Sequence, residues 1–263
     1  MSFNDKAIQA FGLENRDMSL DSSWHGLDEH QGRLQTYLDA RWVRRWYLRS
    51  RAPAGGGVVL DVGSGKGRMA RFLAEHCRQV VAIEPFGVFF EDLARLAASR
   101  PNLQVRQSTF AEYVAARNAE QVFDMIYVSG VTPYFDDREL EGFFRAAKTL
   151  LSPTGVLMVR ELGAVRRTQY ASGQVNRTPR RVTELALKCG LFCERRARAY
   201  PFYIFEWLFQ RHPNVLTRLL RELALKPGFY PLWNFLARLN LPSVCKLPRG
   251  RELDYHLYLL RRC

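Results

Sequence analysis

The sequence lacks any paired-cysteine signature and has few histidines, and both shortages exclude whole classes of chemistry. Its five cysteines, Cys77, Cys189, Cys193, Cys245 and Cys263, are odd in number and scattered, with no CxxC pair and no Cys/His spacing suited to zinc. Free thiols and no metal centre are expected. No apolar run approaches the roughly 20 residues of a membrane-spanning helix, and the opening segment MSFNDKAIQA lacks the apolar core of a secretory signal. A folded cytoplasmic protein is the expectation. Repeats and low-complexity tracts are also absent. Acid is scarce in one part of the chain only: residues 1–159 balance 19 Lys/Arg against 19 Asp/Glu, whereas residues 160–263 hold 20 against 7 and so carry all of the net charge of +13. A basic back half can meet nucleic acid, anionic lipid or an acidic small molecule, and charge alone does not separate them.

The 263 residues are 47% hydrophobic, ample for a core. From Val58 onward, short apolar runs alternate with helical patterns, the signal for a parallel sheet flanked by helices. VVLDV, QVVAIEP, NLQVRQ, FDMIYVSG and GVLMVRE read as successive strands. Helices are expected over 67–77, over Phe89–Ser99 and at RELEGFFRAAKTLL, the last stopping at the turn SPTG. A helix over Pro179–Lys188 halts at Gly190 before the strand LFCERRARA, and DYHLYLLRR, Asp254–Arg262, fits a final edge strand. Residues 1–54 are helical in pattern and read as an N-terminal cap ending in the linker APAGGG. Residues 201–250, with six prolines and the amphipathic segments NVLTRLLRELALK and YPLWNFLARLN, read as a helical insertion before the last strand. The expectation is an α/β, doubly wound sheet: cap 1–54, main domain 55–263.

The stretch VVLDVGSGKGR, Val58–Arg68, brings a glycine loop directly after a strand, where backbone must pass close to a ligand. A Walker loop needs lysine after the last glycine and then a hydroxyl; here Lys66 precedes Gly67 and Arg68 follows. A dinucleotide fingerprint is GxGxxG, and this loop reads GxGxG. What remains is a ligand held by close backbone approach, with a carboxylate at the end of the next strand for a ribose diol. Glu84, 21 residues after Gly63, supplies it. Lys66 reads as a solvated loop side chain, and Asp61 either orders the loop, reaches a ligand amino group or merely caps the turn.

Together these residues resemble the class I S-adenosylmethionine-dependent methyltransferases, over about Val58–Gly190 and including the final strand. LDVGSGKGR is similar to that family's first motif, VVAIEP to its second, FDMIYVSGVTPYFDD to the end of its fourth strand, and LLSPTGVLMVRE to the helix, turn and strand that follow. The resemblance implies a Rossmann-like seven-stranded sheet and S-adenosylmethionine as cofactor, released as S-adenosylhomocysteine. It places Asp61, Gly63, Ser64, Gly65 and Gly67 against the methionine part, Glu84 and Pro85 at the ribose, and Ser129, Gly130 and Val131 between cofactor and acceptor. Where the family often has an acidic residue for the adenine, the sequence reads QSTFAEY, so Ser108 or Thr109 stands in, with Phe110 on the ring.

In-line methyl transfer asks the protein mainly to align a nucleophile and exclude water. Acceptor-side candidates are Tyr134, Asp136 and Asp137 after the fourth strand, and Arg160 and Glu161 at the end of the fifth. Possible bases are His25 and His30 in the cap and His256 in the last strand. Cap aromatics (Trp24, Tyr37, Trp42, Trp46, Tyr47) either close over the cofactor or pack as core, and Arg33, Arg41 and Arg44 either pair with its carboxylate or face solvent. SGVTPY lacks the [DN]PP[YF] turn of nucleobase-amine methyltransferases. That favours a small-molecule acceptor over RNA or protein. Arg166, Arg167, Arg177, Arg180 and Arg181 are expected to rim its pocket and favour an acidic or phosphorylated group. The 201–250 insertion is expected to be a hydrophobic lid, a membrane-surface contact or helices packed on the sheet.

Overall fold

The computed structural model describes residues 29–116, 120–164, 168–169, 174–198, 226–238 and 253–263, together with Leu219 and Leu223. The helix α1 (Glu29–Val43) runs into a π-type turn at Arg44–Leu48 and a 3-10 turn at Ala54–Gly56. Then follow β1 (Val58–Val62), α2 (Arg68–His76), β2 (Gln79–Ile83), α3 (Gly87–Ala98), β3 (Leu103–Arg106), α4 (Phe110–Ala116), β4 (Phe123–Ser129) and α5 (Asp137–Leu150). The remainder comprises β5 (Leu151–Ala164), the short β6 (Thr168–Gln169) and β7 (Val175–Asn176), α6 (Pro179–Lys188), β8 (Leu191–Arg198), α7 (Tyr230–Arg238) and β9 (Leu253–Arg262).

Strands buried on both faces read as continuous apolar runs, which is why VVLDV, QVVAI and FDMIYVS fold as central parallel strands. The seven-stranded sheet has the order β3-β2-β1-β4-β5-β9-β8; β9 runs antiparallel to both neighbours, so the expected final edge strand is an inner one and β8 forms the edge. Register sets the strand ends level: Val62 lies beside Ile83 and Val128, and Ser129 beside Arg160. The chain winds outward through β2 and β3 on one side of β1 and through β4 and β5 on the other. The switch between β1 and β4 opens a crevice at the carboxyl ends of the strands.

Two cores flank the sheet. One joins α1, α2 and α3 with Trp233 of α7, and the other joins α4, α5 and α6. The described part of the N-terminal region enters the first core through Leu34, Leu38, Trp42 and Trp46, and the Tyr47 hydroxyl donates 2.9 Å to the Gly56 carbonyl, pinning the glycine linker. β5 begins earlier than its sequence pattern predicts. Leu151 pairs with Phe123 before a register shift restores pairing at Met125–Val156, so SPTG lies within the strand. Most of 201–250 is outside the described residues; among those described, no helix is long and apolar enough to cross a membrane.

Candidate functional site

The loop after β1 is pinned to the end of β2: the N–H groups of Gly63 and Ser64 both donate to the Ile83 carbonyl, at 2.9 and 3.1 Å. Its outer glycines are needed for packing. A Cβ on Gly63 would lie 2.3 Å from Val131 Cγ2, and one on Gly67 (φ +93°) would lie 2.6 Å from Leu96 Cδ2 and 2.9 Å from Leu93 Cδ1. Gly65 differs. At φ +56° it is left-handed, yet a Cβ there would meet nothing within 4 Å, so this is where the loop borders open space.

Two buried carboxyls lie at the ends of the strands that flank the loop, Asp61 in β1 and Glu84 after β2. Glu84, 3% exposed, accepts the Gly65 N–H at 2.8 Å and the Phe86 N–H at 3.1 Å. Burial pushes it up to about 7, outweighing both hydrogen bonds, and the neighbouring Asp61 raises it further. Asp61, 2% exposed, is pushed up to about 6 by burial against the pull of the Ser64 hydroxyl and of Arg68, and its Oδ2 has no hydrogen-bond partner. A buried acceptor without a partner is costly, and a donor group on a ligand would relieve it. Ser64 Oγ donates to the Asp61 carbonyl at 3.0 Å, and Pro85 lies half-buried after Glu84.

The other sequence-predicted residues divide. Ser108 Oγ is buried without a partner, but Thr109 receives and returns hydrogen bonds with Glu112 at the start of α4, and the Phe110 ring packs 4.7 Å from Phe143 in the second core. Phe110 is half-buried and packs against the second core with part of its ring. After β4, Ser129 Oγ accepts from Arg160 at 2.7 Å, Gly130 N–H donates to the Arg160 carbonyl at 3.2 Å, and Val131 touches Gly63. The Tyr134 hydroxyl accepts from Gln174 Nε2 at 2.8 Å. Asp136, an acceptor-side candidate by sequence, is exposed and forms a reciprocal capping box with Glu139 at the start of α5. Lys66 is only 9% exposed and ion-paired to Asp92 at 3.3 Å, so it ties the loop to α3 instead of facing solvent. His25 lies outside the described residues.

Tyr37 stacks on Tyr230 with centroids 4.7 Å apart, Trp42 lies against Trp46, Arg41 sits over Trp42, and Arg44 sits over Phe72. These cap residues pack as core. Among the described residues the expected arginines do not form a rim. Arg177 is fully buried, Arg180 is exposed and pairs with Glu184, Arg181 binds Asp137, and Arg166 and Arg167 lie outside the described residues.

Two buried ionic clusters escaped the sequence reading. In the first, Asp39 of α1 binds Arg68 at 3.0 Å and Arg160 at 3.5 Å, fastening the cap to the ends of the loop helix and β5. Its signal was legible: Asp39 sits among Leu38, Trp42 and Val43 on the apolar stripe of α1. In the second, Arg177 reaches Asp137 at 2.8 Å, the Thr132 carbonyl at 3.2 Å, the Phe135 carbonyl, and Glu161 at 3.4 Å. Burial pushes Glu161 up to about 7 despite Arg177. Asp137, which burial would raise, is held below the usual range by Arg177 and Arg181. This cluster binds the loop after β4 to β5. Among the described residues no group of His, Cys, Asp and Glu is placed to hold a metal.

Residues 59–155 match a family model described as a methyltransferase domain. An rRNA methyltransferase of Streptomyces thermotolerans is 37% identical over 76 residues, which make up 29% of this chain and 25% of that protein. The chain thus spans a quarter or less of the length of the curated relatives it matches. Among solved structures, a SAM-dependent methyltransferase of Leishmania major superposes with a TM-score of 0.65 at 15% identity, over 99% of this chain and 83% of the other. The 1,6-didemethyltoxoflavin N1-methyltransferase of Burkholderia thailandensis, solved with S-adenosylhomocysteine, gives 0.59 at 14% identity, over 98% and 88%. The open space at Gly65, the partnerless Asp61 Oδ2 and the buried Glu84 fit such a cofactor. The chain thus carries a methyltransferase-domain match over residues 59–155, set in a seven-stranded sheet with the Rossmann-like fold of those solved structures.

Proposed function

We propose that the chain moves a methyl group from S-adenosylmethionine to an oxygen or nitrogen atom of a small amphipathic acceptor by in-line displacement. The observation that carries this reading is the pair of buried carboxyls at the ends of β1 and β2, Asp61 and Glu84, which form no ion pair among the described residues, with Glu84 bonded to the N–H of Gly65 where the loop borders open space. In this reading Glu84 receives the ribose hydroxyls, Asp61 the amino group of the methionine part, and Ser108 the adenine. When bound, the cofactor supplies an electrophilic methyl group, so the protein needs no nucleophile of its own. Gly63, Val131 and the Ser129–Gly130 turn keep the loops after β1 and β4 in register, and Tyr134 orients the acceptor beside them. Glu161 is sealed under that loop by Arg177 and serves to hold it. Arg177 and Arg181 are committed to carboxylates, so these two give an acidic acceptor no support.

A second reading, a protein or RNA acceptor, is favoured by the basic excess of residues 160–263 and by the named activity of the curated relatives. Thermal unfolding with S-adenosylhomocysteine, NAD or ATP tests the cofactor. Stabilisation by S-adenosylhomocysteine is expected, and stabilisation by NAD alone refutes the proposal. Labelled methyl transfer into cell extract then separates the acceptors: nuclease-sensitive label assigns the site to RNA.

A further inference from the structure

Helix α7 is two-faced. Trp233 is buried in the core shared with α1, and Tyr230 of the same face stacks on Tyr37. Leu232 and Phe235, three residues apart and on the opposite side, are 49% and 56% exposed. Phe229 just before the helix is 44% exposed, and Leu219 and Leu223, four residues apart, are 52% and 43% exposed. Large apolar side chains left outward in series mark a contact surface rather than a random scatter. Charge narrows the partner. Residues 201–250 contain seven Lys/Arg against two Asp/Glu, and Lys226, between the two apolar groups, is exposed. A second copy of a segment so basic in sequence would repel the first, and nucleic acid has no need of the apolar row. A surface that joins negative charge to hydrocarbon matches both properties. No described helix is long and apolar enough to span a bilayer, so the chain would lie on it.

We propose that the exposed face of α7, with Phe229, Leu232 and Phe235, docks on the surface of an anionic lipid bilayer. Trp233 and Tyr230 hold that face to α1, whose Asp39 is tied to Arg68 and Arg160 at the ends of the loop and β5. Docking therefore fixes the crevice mouth relative to the bilayer, where an amphipathic acceptor would reside. The surface rests on its own observations and does not require the methyltransferase reading.

Co-sedimentation of the full chain with phosphatidylcholine vesicles, with and without phosphatidylglycerol, tests it. The double substitution Leu232→Asp, Phe235→Asp changes only exposed side chains, and the melting temperature and its shift with S-adenosylhomocysteine report separately on fold and cofactor site. Binding to the anionic vesicles alone is expected, about tenfold weaker in the double variant with both thermal readouts unchanged. Absence of vesicle binding overturns the proposal, as does equal binding by the variant. Self-association abolished by the same substitutions assigns the face to a second copy. RNA binding at physiological salt that anionic vesicles fail to displace assigns the charge to nucleic acid.

Discussion

Glu84 couples pH to folding and to ligand binding with opposite signs. Its carboxyl is almost fully buried and moves from an ordinary value of 4.5 to about 7, so the folded state binds the proton more tightly than the unfolded chain. Its contribution to stability is complete below 4.5 and is lost as pH rises through about 7, at about 1.4 kcal/mol per pH unit between the two values. The whole span is worth about 3 kcal/mol, roughly 6–12 °C in melting temperature for a chain of this size. Asp61 and Glu161 are raised in the same direction and titrate in the same range, so the useful quantity is the difference from Glu84→Gln, in which only the Glu84 proton is removed. The wild-type melting temperature should fall relative to that of Glu84→Gln between pH 5 and pH 8. Ribose hydroxyls donate to the ionised carboxylate, so the stabilisation given by S-adenosylhomocysteine should instead grow over that range and be lost in Glu84→Gln. A wild-type minus variant difference that stays flat with pH would refute the burial argument. Unchanged ligand stabilisation in Glu84→Gln would refute the ribose assignment.

The glycine loop and the arginine knot give two further tests. Gly65→Ala costs about 1 kcal/mol for its left-handed backbone and meets no atom, so it should lose the S-adenosylhomocysteine shift while largely keeping its fold. Gly67→Ala meets Leu96 and Leu93 and should unfold about 1–3 kcal/mol more easily; the reverse ranking in thermal melts would show that Gly65 is not the ligand-facing residue. Arg177→Met strips the ion-pair partner from Glu161 and leaves Asp137 only Arg181, and should cost about 3–5 kcal/mol in urea unfolding, less at pH 5, where Glu161 is protonated. A loss below about 1 kcal/mol would show that the loop after β4 is held by other means.

Local periodicity made the strands and most helices legible: α6 spans the predicted Pro179–Lys188, and β9 extends Asp254–Arg262 by one residue. The placement of β9 between β5 and β8 was not legible, because that pairing closes only after a long excursion of the chain. The pattern Asp136-x-x-Glu139 could have been read as a helix start and was read instead as chemistry. Arg177, in the stretch VNRT, belongs to no periodic pattern, and only the fold brings it under Thr132. Gly63, Gly65 and Gly67 look alike in sequence, and only packing separates the one that faces open space.

The carboxylates carry a more general signal. Asp39, Asp61, Glu84 and Glu161 each interrupt or end an apolar pattern, and each is 3% exposed or less. Burying a carboxylate is so costly that a fold keeps one only where something answers it. Asp39 is answered by Arg68 and Arg160, and Glu161 by Arg177. Among the described residues Asp61 and Glu84 form no ion pair, and Asp61 Oδ2 has no hydrogen-bond partner. Their burial without an ion pair separates them from the other two: Asp39 and Glu161 hold the rim together, whereas Asp61 and Glu84 are left, in the proposed function, for a ligand to answer.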